Sequence, residues 1–242
     1  MLAKKTHREV KSPQISARYL ADYMSASETA KRTIIRGCKY QPIAKIVQHN
    51  RAKAAISHFL SNGSSDATAL TDRAEQLRNM MADDEFDRLV LDHNADYLDR
   101  FAASQATVAI PAAERLVAGK NGPITLSAVR VSAEIHFRLR RVVAKTNEVR
   151  VGAGMLRYAK SRPLNVEAAA WQSAFLLGYL GLTAVDPSET PEAKLCITID
   201  AFSGISYPAP GNAASRFKNM KAACESIAER WDNIQPPPGA VL

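Results

Sequence analysis

The chain has 242 residues, 46% of them hydrophobic and 23% charged, the composition of a folded protein with a core of its own and not of a disordered, collagen-like or disulfide-stapled chain. Its three cysteines, Cys38, Cys196 and Cys224, are far apart, with neither a C-x-x-C pair nor a histidine at zinc-ligand spacing, so a reducing, cytoplasmic location and no structural metal are expected. The net charge of +8 is spread unevenly: residues 1–60 hold twelve Lys/Arg against three acids, residues 61–104 four against ten, and residues 105–242 sixteen against eleven.

The first fourteen residues are polar and basic and are expected to form a mobile arm; no apolar stretch follows the charged start, so no secretory signal is expected. A helix is predicted from Ile15 to Met24, with Tyr19, Leu20, Tyr23 and Met24 on one side, interrupted by Ser25-Ala26-Ser27. Ser27 can accept from the free N–H groups of a second helix, which is expected to end at Gly37. A third helix is predicted from Ile43 to Leu60. The Ser61-Asn62-Gly63-Ser64-Ser65 run then marks the boundary between a basic helical unit, 1–60, and a second unit, 61–242.

Beyond it, Leu70, Ala74, Leu77 and Met81 mark one helix. Asp83 or Asp84 caps another that carries Phe86, Leu89, Val90, Tyr97, Leu98 and Phe101, with the acidic residues on solvated outer faces. The β pattern begins near Ile124, and from Val129 to Arg140 apolar and polar residues alternate with the period of a strand that has one buried face. Arg130, His136, Arg138 and Arg140 would then share the other, basic face. A turn at Thr146-Asn147-Glu148 leads into an antiparallel strand, Val149 to Tyr158.

The uncharged stretch Ala168 to Val185 is too short and too rich in Ala and Gly to span a membrane, and reads as a buried helix capped by Asn165. Leu195 to Ile199 is an interior strand reached by a crossover, and Ile205 to Tyr207 a short return strand. Phe217, Met220, Cys224, Ile227 and Trp231 form the apolar stripe of a last helix, stopped by Pro236-Pro237-Pro238. The fold class predicted is α+β: a helical N-terminal unit, then a mixed α/β unit whose mainly antiparallel sheet has about four strands.

Residues 20–36, with Leu20-Ala21, the small residues at the turn and Ala30, Ile34 and Ile35 expected to pack inward, resemble the helix-turn-helix of DNA-binding regulators; Ala26 stands where a glycine is common. The resemblance implies that the second helix enters the major groove with Glu28, Thr29, Lys31, Arg32 and Arg36 toward DNA, while Lys4, Lys5, Arg8 and Lys11 lie along phosphates. The implied function is DNA binding, with the α/β unit supplying homodimerisation, ligand sensing or a second contact surface. The order helix, antiparallel strands, crossover helix and strand, with Glu134, Lys160 and Asp200 at strand positions, is similar to the PD-(D/E)XK nuclease core. That resemblance implies a divalent metal held by carboxylates, but the expected Glu-x-Lys is here Tyr158-Ala159-Lys160. A nuclease-like protein, active or inactive, is therefore the alternative reading, and a scaffold binding partners through the acidic helices is a third. His49, His58 and His93 fall in helical patterns and read as satisfied partners or surface residues. Val151-Gly152-Ala153-Gly154 lacks the third glycine and the following helix of a phosphate loop, and no G-x-S-x-G elbow is present, so no cofactor is expected.

Overall fold

A computed structural model describes residues 5–44, 47–159, 163–184 and 186–242; residues 1–4, Ile46, Lys160, Arg162 and Val185 lie outside them. In chain order the elements begin with β1 (His7–Glu9), β2 (Gln14–Ser16), α1 (Ala17–Met24), α2 (Glu28–Lys39), β3 (Tyr40–Pro42), α3 (Asn50–Ser61), α4 (Thr68–Asn79) and α5 (Glu85–Ser104). They continue with β4 (Glu114–Val117), β5 (Ile124–Leu126), β6 (Val129–Ser132), β7 (Phe137–Val143) and β8 (Glu148–Arg157). The last are α6 (Val166–Thr183), β9 (Glu189–Asp200), β10 (Ile205–Pro208) and α7 (Ala213–Arg230).

The α+β class is as predicted, but the sheet is not the one expected. The main sheet has five strands in the order β10-β9-β8-β7-β4. Its outer pairs and the β7–β8 hairpin are antiparallel, while β8 and β9 run parallel. Parallel neighbours need a crossover, and α6 supplies it. The fifth strand, β4, was missed because Glu114–Val117 is four residues long and largely exposed, leaving no alternation to read.

The run from Val129 to Arg140 is two strands, not one. β6 joins a three-stranded sheet, paired antiparallel with β5 and parallel with β2, while β7 belongs to the main sheet. The chain changes sheets between them, at Ala133–His136, so Arg130 and His136 do not share a face: Arg130 is exposed and His136 is 5% exposed. The described part of the arm expected at the N-terminus, from residue 5 on, is likewise built into the fold, through β1–β3 and β2–β6 pairing.

Alternation along the long strands sends side chains to two cores. Ala153, Met155 and Cys196 meet α1, α2, α6 and α7 on one face, in a cluster that includes Leu20, Ile35, Phe175, Met220 and Trp231. Phe137, Leu139, Leu156, Leu195, Ile197 and Ile199 meet α3, α4 and α5 on the other, with Ile56, Phe59, Leu77, Tyr97 and Phe101. The helices therefore cover both sides of the sheet. α2 also runs past Gly37 to Lys39, whose buried ammonium donates to the carbonyls of Trp231, Asp232 and Ile234 at 2.8, 3.2 and 3.3 Å. The end of α2 is itself closed by Tyr40, whose N–H donates to the Arg36 carbonyl.

Candidate functional site

Two places have the chemistry of a site: the outer face of α2 and the end of β8. In the first, α1 and α2 are separated by three residues, and each has a serine N-cap: Ser16 accepts from the Tyr19 N–H and Ser27 from the Ala30 N–H. Ile35 and Cys38 are buried and Ile34 packs against the same core, but Ala30, expected inward, is exposed. With 3.6 residues per turn, Arg32 and Arg36 stand one turn apart on the outward arc, close to Thr29. Glu28, Thr29 and Arg32 are exposed and Arg36 is half-buried. Lys31 is on the flank, paired with Glu28 at 2.7 Å and set 5.5 Å from the centre of the Tyr23 ring. At the C-terminal end of α2 lies a cavity of about 480 Å³, whose lining includes Gly37, Tyr19 and Arg130. Tyr19 is 50% exposed.

The second place follows from topology. In sheets with parallel strands, ligands collect outside the carboxyl ends of the strands, and here β8 and β9 end together at Arg157 and Asp200, opposite the start of α6. A cavity of about 130 Å³ lies there, lined by Arg18, Asp22, Arg157, Tyr158, Asp200 and the first turn of α6. Arg157 points to the α6 side, where it donates to both Asp22 carboxylate oxygens at 2.8 and 3.1 Å and to Gln172 Oε1 at 2.8 Å. Asp200 accepts from the Leu164 and Phe202 N–H groups and from the Ser203 hydroxyl.

Tyr158, next along the strand, points to the α5 side. Its ring stacks on Tyr97 with centroids 3.9 Å apart, and His49 packs edge-on against both at 5.4 Å. His93, one turn before Tyr97 on α5, is 6.3 Å from His49. Lys53 and Glu134 pair at 2.8 Å beside this group. His136 accepts at Nδ1 from the Leu156 N–H, which puts the imidazole proton on Nε2. Burial pulls His136 down to about 4, against the opposing pull of Glu134, so the ring is neutral at pH 7. Burial also lowers His49, helped by His93, Lys53 and Arg18, and raises the Tyr97 phenol.

Tyr97 Oη, His136 Nε2, His49 Nδ1 and Gln172 Nε2 have no hydrogen-bond partner among the described residues, although all four atoms are buried. Glu134 is 3.9 Å from His136 Nε2, beyond hydrogen-bond reach. Sequence reasoning missed this group. The signal it left was His93 and Tyr97 four apart, on one face of a helix; His136 was hidden by the misread strand.

No group of three or more His, Cys, Asp or Glu able to hold a metal ion occurs among the described residues. Asp22 accepts from Arg157, Glu134 pairs with Lys53, and Asp200 accepts from the Leu164 N–H. No helix among the described residues is long and apolar enough to cross a membrane. No protein-family model matches the sequence, and no curated protein matches it.

Proposed function

We propose that the chain binds DNA through the outward arc of α2. The observation that carries this reading is the placement of the exposed Arg32 and the half-buried Arg36 one turn apart on the outward side of α2, with the exposed Thr29 beside them. Arg230, which adds to the positive field felt by Glu28, extends the basic surface onto the end of α7. The cavity with Tyr19 and Arg130 continues it past Gly37. Guanidinium groups in such an array engage phosphates and base edges, and each phosphate neutralised releases counterions. The rest of the fold holds this face rigid, since α1 and α2 are packed into the same core as α6 and α7.

The test is fluorescence anisotropy of the full chain on mixed duplex DNA over a salt series. Binding that weakens steeply with salt, and an Arg32→Ala variant whose log K against log salt slope is smaller by about 0.9, fit this reading. Absence of binding at low salt overturns it.

A nuclease-like protein without the metal chemistry is the second reading. It is favoured by the order of β4, β7 and β8 antiparallel, α6 as crossover, and β9 parallel to β8. Its prediction is DNA binding with no cleavage in magnesium or manganese.

A further inference from the structure

We propose that a groove running from β1 to the outer face of the β2-β6-β5 sheet takes single-stranded DNA, its phosphates on Lys5, Arg8, Lys11 and Arg130 and an unpaired base on the Tyr19 ring. The proposal rests on the DNA-binding reading of α2 only in taking DNA as the polymer; neither Arg32 nor Arg36 lines the groove.

The groove is made of two adjoining cavities. The lining of one, about 780 Å³, includes Lys5, His7, Arg8, Glu9, Lys11 and Leu242. That of the other, about 480 Å³, includes Gln14, Ser16, Tyr19, Gly37, Arg130 and Ser132. Gln41 and Pro42 line both and join them.

Local structure brings these side chains to one channel. Pairing of β1 with β3 sets Arg8 opposite Gln41, whose Oε1 accepts from the Arg8 guanidinium at 2.7 Å. Between β1 and β2 the chain is anchored on both sides: the Val10 N–H donates to the Lys39 carbonyl at 2.7 Å, and the Pro13 carbonyl accepts from the Arg130 N–H at 2.9 Å. On β2 and β6, alternation buries Ile15 and Val131 and leaves Gln14, Ser16, Arg130 and Ser132 on the other face. Ser16 also caps α1, accepting from the Tyr19 N–H at 3.2 Å, which sets Tyr19 beside that face.

The charge of the groove selects an anion. Among the described residues that line the smaller cavity there is no carboxylate, and Arg130 carries its charge. In the larger one, Glu9 is already offset by Lys11 at 2.8 Å and Lys39 at 3.8 Å. No described carboxylate, that of Leu242 included, pairs with Lys5, Arg8 or Arg130. Cations strung along a channel attract a polyanion and release its counterions.

Shape and the aromatic ring choose a single strand over a duplex. The cations line a concave channel, and the Tyr19 ring within it is 50% exposed. A duplex keeps its bases stacked on one another and has no base face to offer, whereas an unpaired base stacks on such a ring whatever its identity. The Arg18 guanidinium, 5.9 Å from the ring centre, adds a further cation beside it. Gln14 and Ser132 offer both donors and acceptors to the base edges.

Fluorescence anisotropy of the full chain tests this with a labelled, unstructured single-stranded DNA dodecamer, the blunt duplex of the same sequence, and unlabelled polyglutamate as competitor. The strand is expected to bind, and polyglutamate at equal charge is expected not to displace it. Tyr19→Leu should melt as the native chain does and weaken strand binding about tenfold, the loss being larger on the strand than on the duplex. Arg130→Ala, at an exposed position, should lower the slope of log K against log salt on the strand by about 0.7, the value for one phosphate contact. Absence of strand binding, displacement by polyglutamate, or native strand behaviour in either variant overturns the proposal. Should Tyr19→Leu not fold, Arg130→Ala decides alone. The blunt duplex reports separately on α2: binding of the strand without the duplex overturns the α2 reading and leaves the groove, and binding of the duplex without the strand does the reverse.

Discussion

Arg157, at the end of β8, holds both carboxylate oxygens of Asp22 on α1, at 2.8 and 3.1 Å across 135 positions of sequence. Arg157 is 8% exposed, so its charge has exchanged water for this carboxylate, Gln172 and the Arg18 carbonyl. Removing one partner of such a pair leaves the other charge buried and uncompensated. Asp22→Ala is therefore expected to cost about 3 kcal/mol, the lower end of the usual range because the Asp22 side chain is 28% exposed. Urea unfolding measures it, and a loss below about 0.5 kcal/mol, the size of an ordinary surface change, would show that α1 is held by its apolar face alone.

His136 makes stability depend on pH. Its folded-state pKa of about 4 lies below the ordinary value of 6.5, so between these values the unfolded chain binds the proton and the folded chain does not. Stability is unaffected above pH 6.5, falls as pH drops toward 4, and levels off below it, with a total loss of about 3 kcal/mol. Replacing His136 by Gln removes this part of the slope. Unfolding of native chain and variant at about pH 7.5 and about pH 5, on either side of the ordinary histidine value, gives the comparison; parallel losses in the two would assign the slope to other groups.

How much of this was legible in the sequence depended on whether a signal was local. Ser27 as a cap, the stripe from Phe217 to Trp231 and the crossover between β8 and β9 follow from spacing along the chain, and the structure has them. The burial of Lys39 at the end of α2 does not, because its acceptors lie 192 to 195 positions away. The break between β6 and β7 is invisible for a related reason. Alternation persists across Ser132 to Phe137, and only the separate pairing of β6 with β2 shows that the chain has changed sheets. The group around Tyr97 is assembled from the segment before α3, from α5, and from the start of β7 and the end of β8, so no window of sequence contains it.

The three thiols are expected to be inert in the folded chain. Cys38, Cys196 and Cys224 are buried, and burial pushes each up to about 12, which leaves almost no thiolate at neutral pH. Ellman's reagent should therefore report no fast-reacting thiol before denaturation and three after it. A fast-reacting thiol in the native protein would mean that one of the two helix layers opens readily.

Gly154 and Phe137 are register partners on β8 and β7, and the Phe137 ring lies directly over the glycine: a Cβ at position 154 would stand 2.1 Å from Phe137 Cε1. The ring is 0% exposed and cannot swing into solvent. Gly154→Ala is accordingly expected to destabilise by roughly 3 kcal/mol, the upper part of the range for overpacking. Phe137→Leu alone leaves a void and costs on the order of 1 to 2 kcal/mol. In the double variant the smaller side chain makes room for the new methyl group, so its loss should be less than the sum of the single losses by about 1 kcal/mol or more. A double-mutant cycle in urea measures this coupling. Strict additivity would mean that the methyl group added by Gly154→Ala is accommodated by movement of the β8 backbone and not by the ring. Such a movement would also displace Arg157 and Tyr158, three and four positions further along the chain.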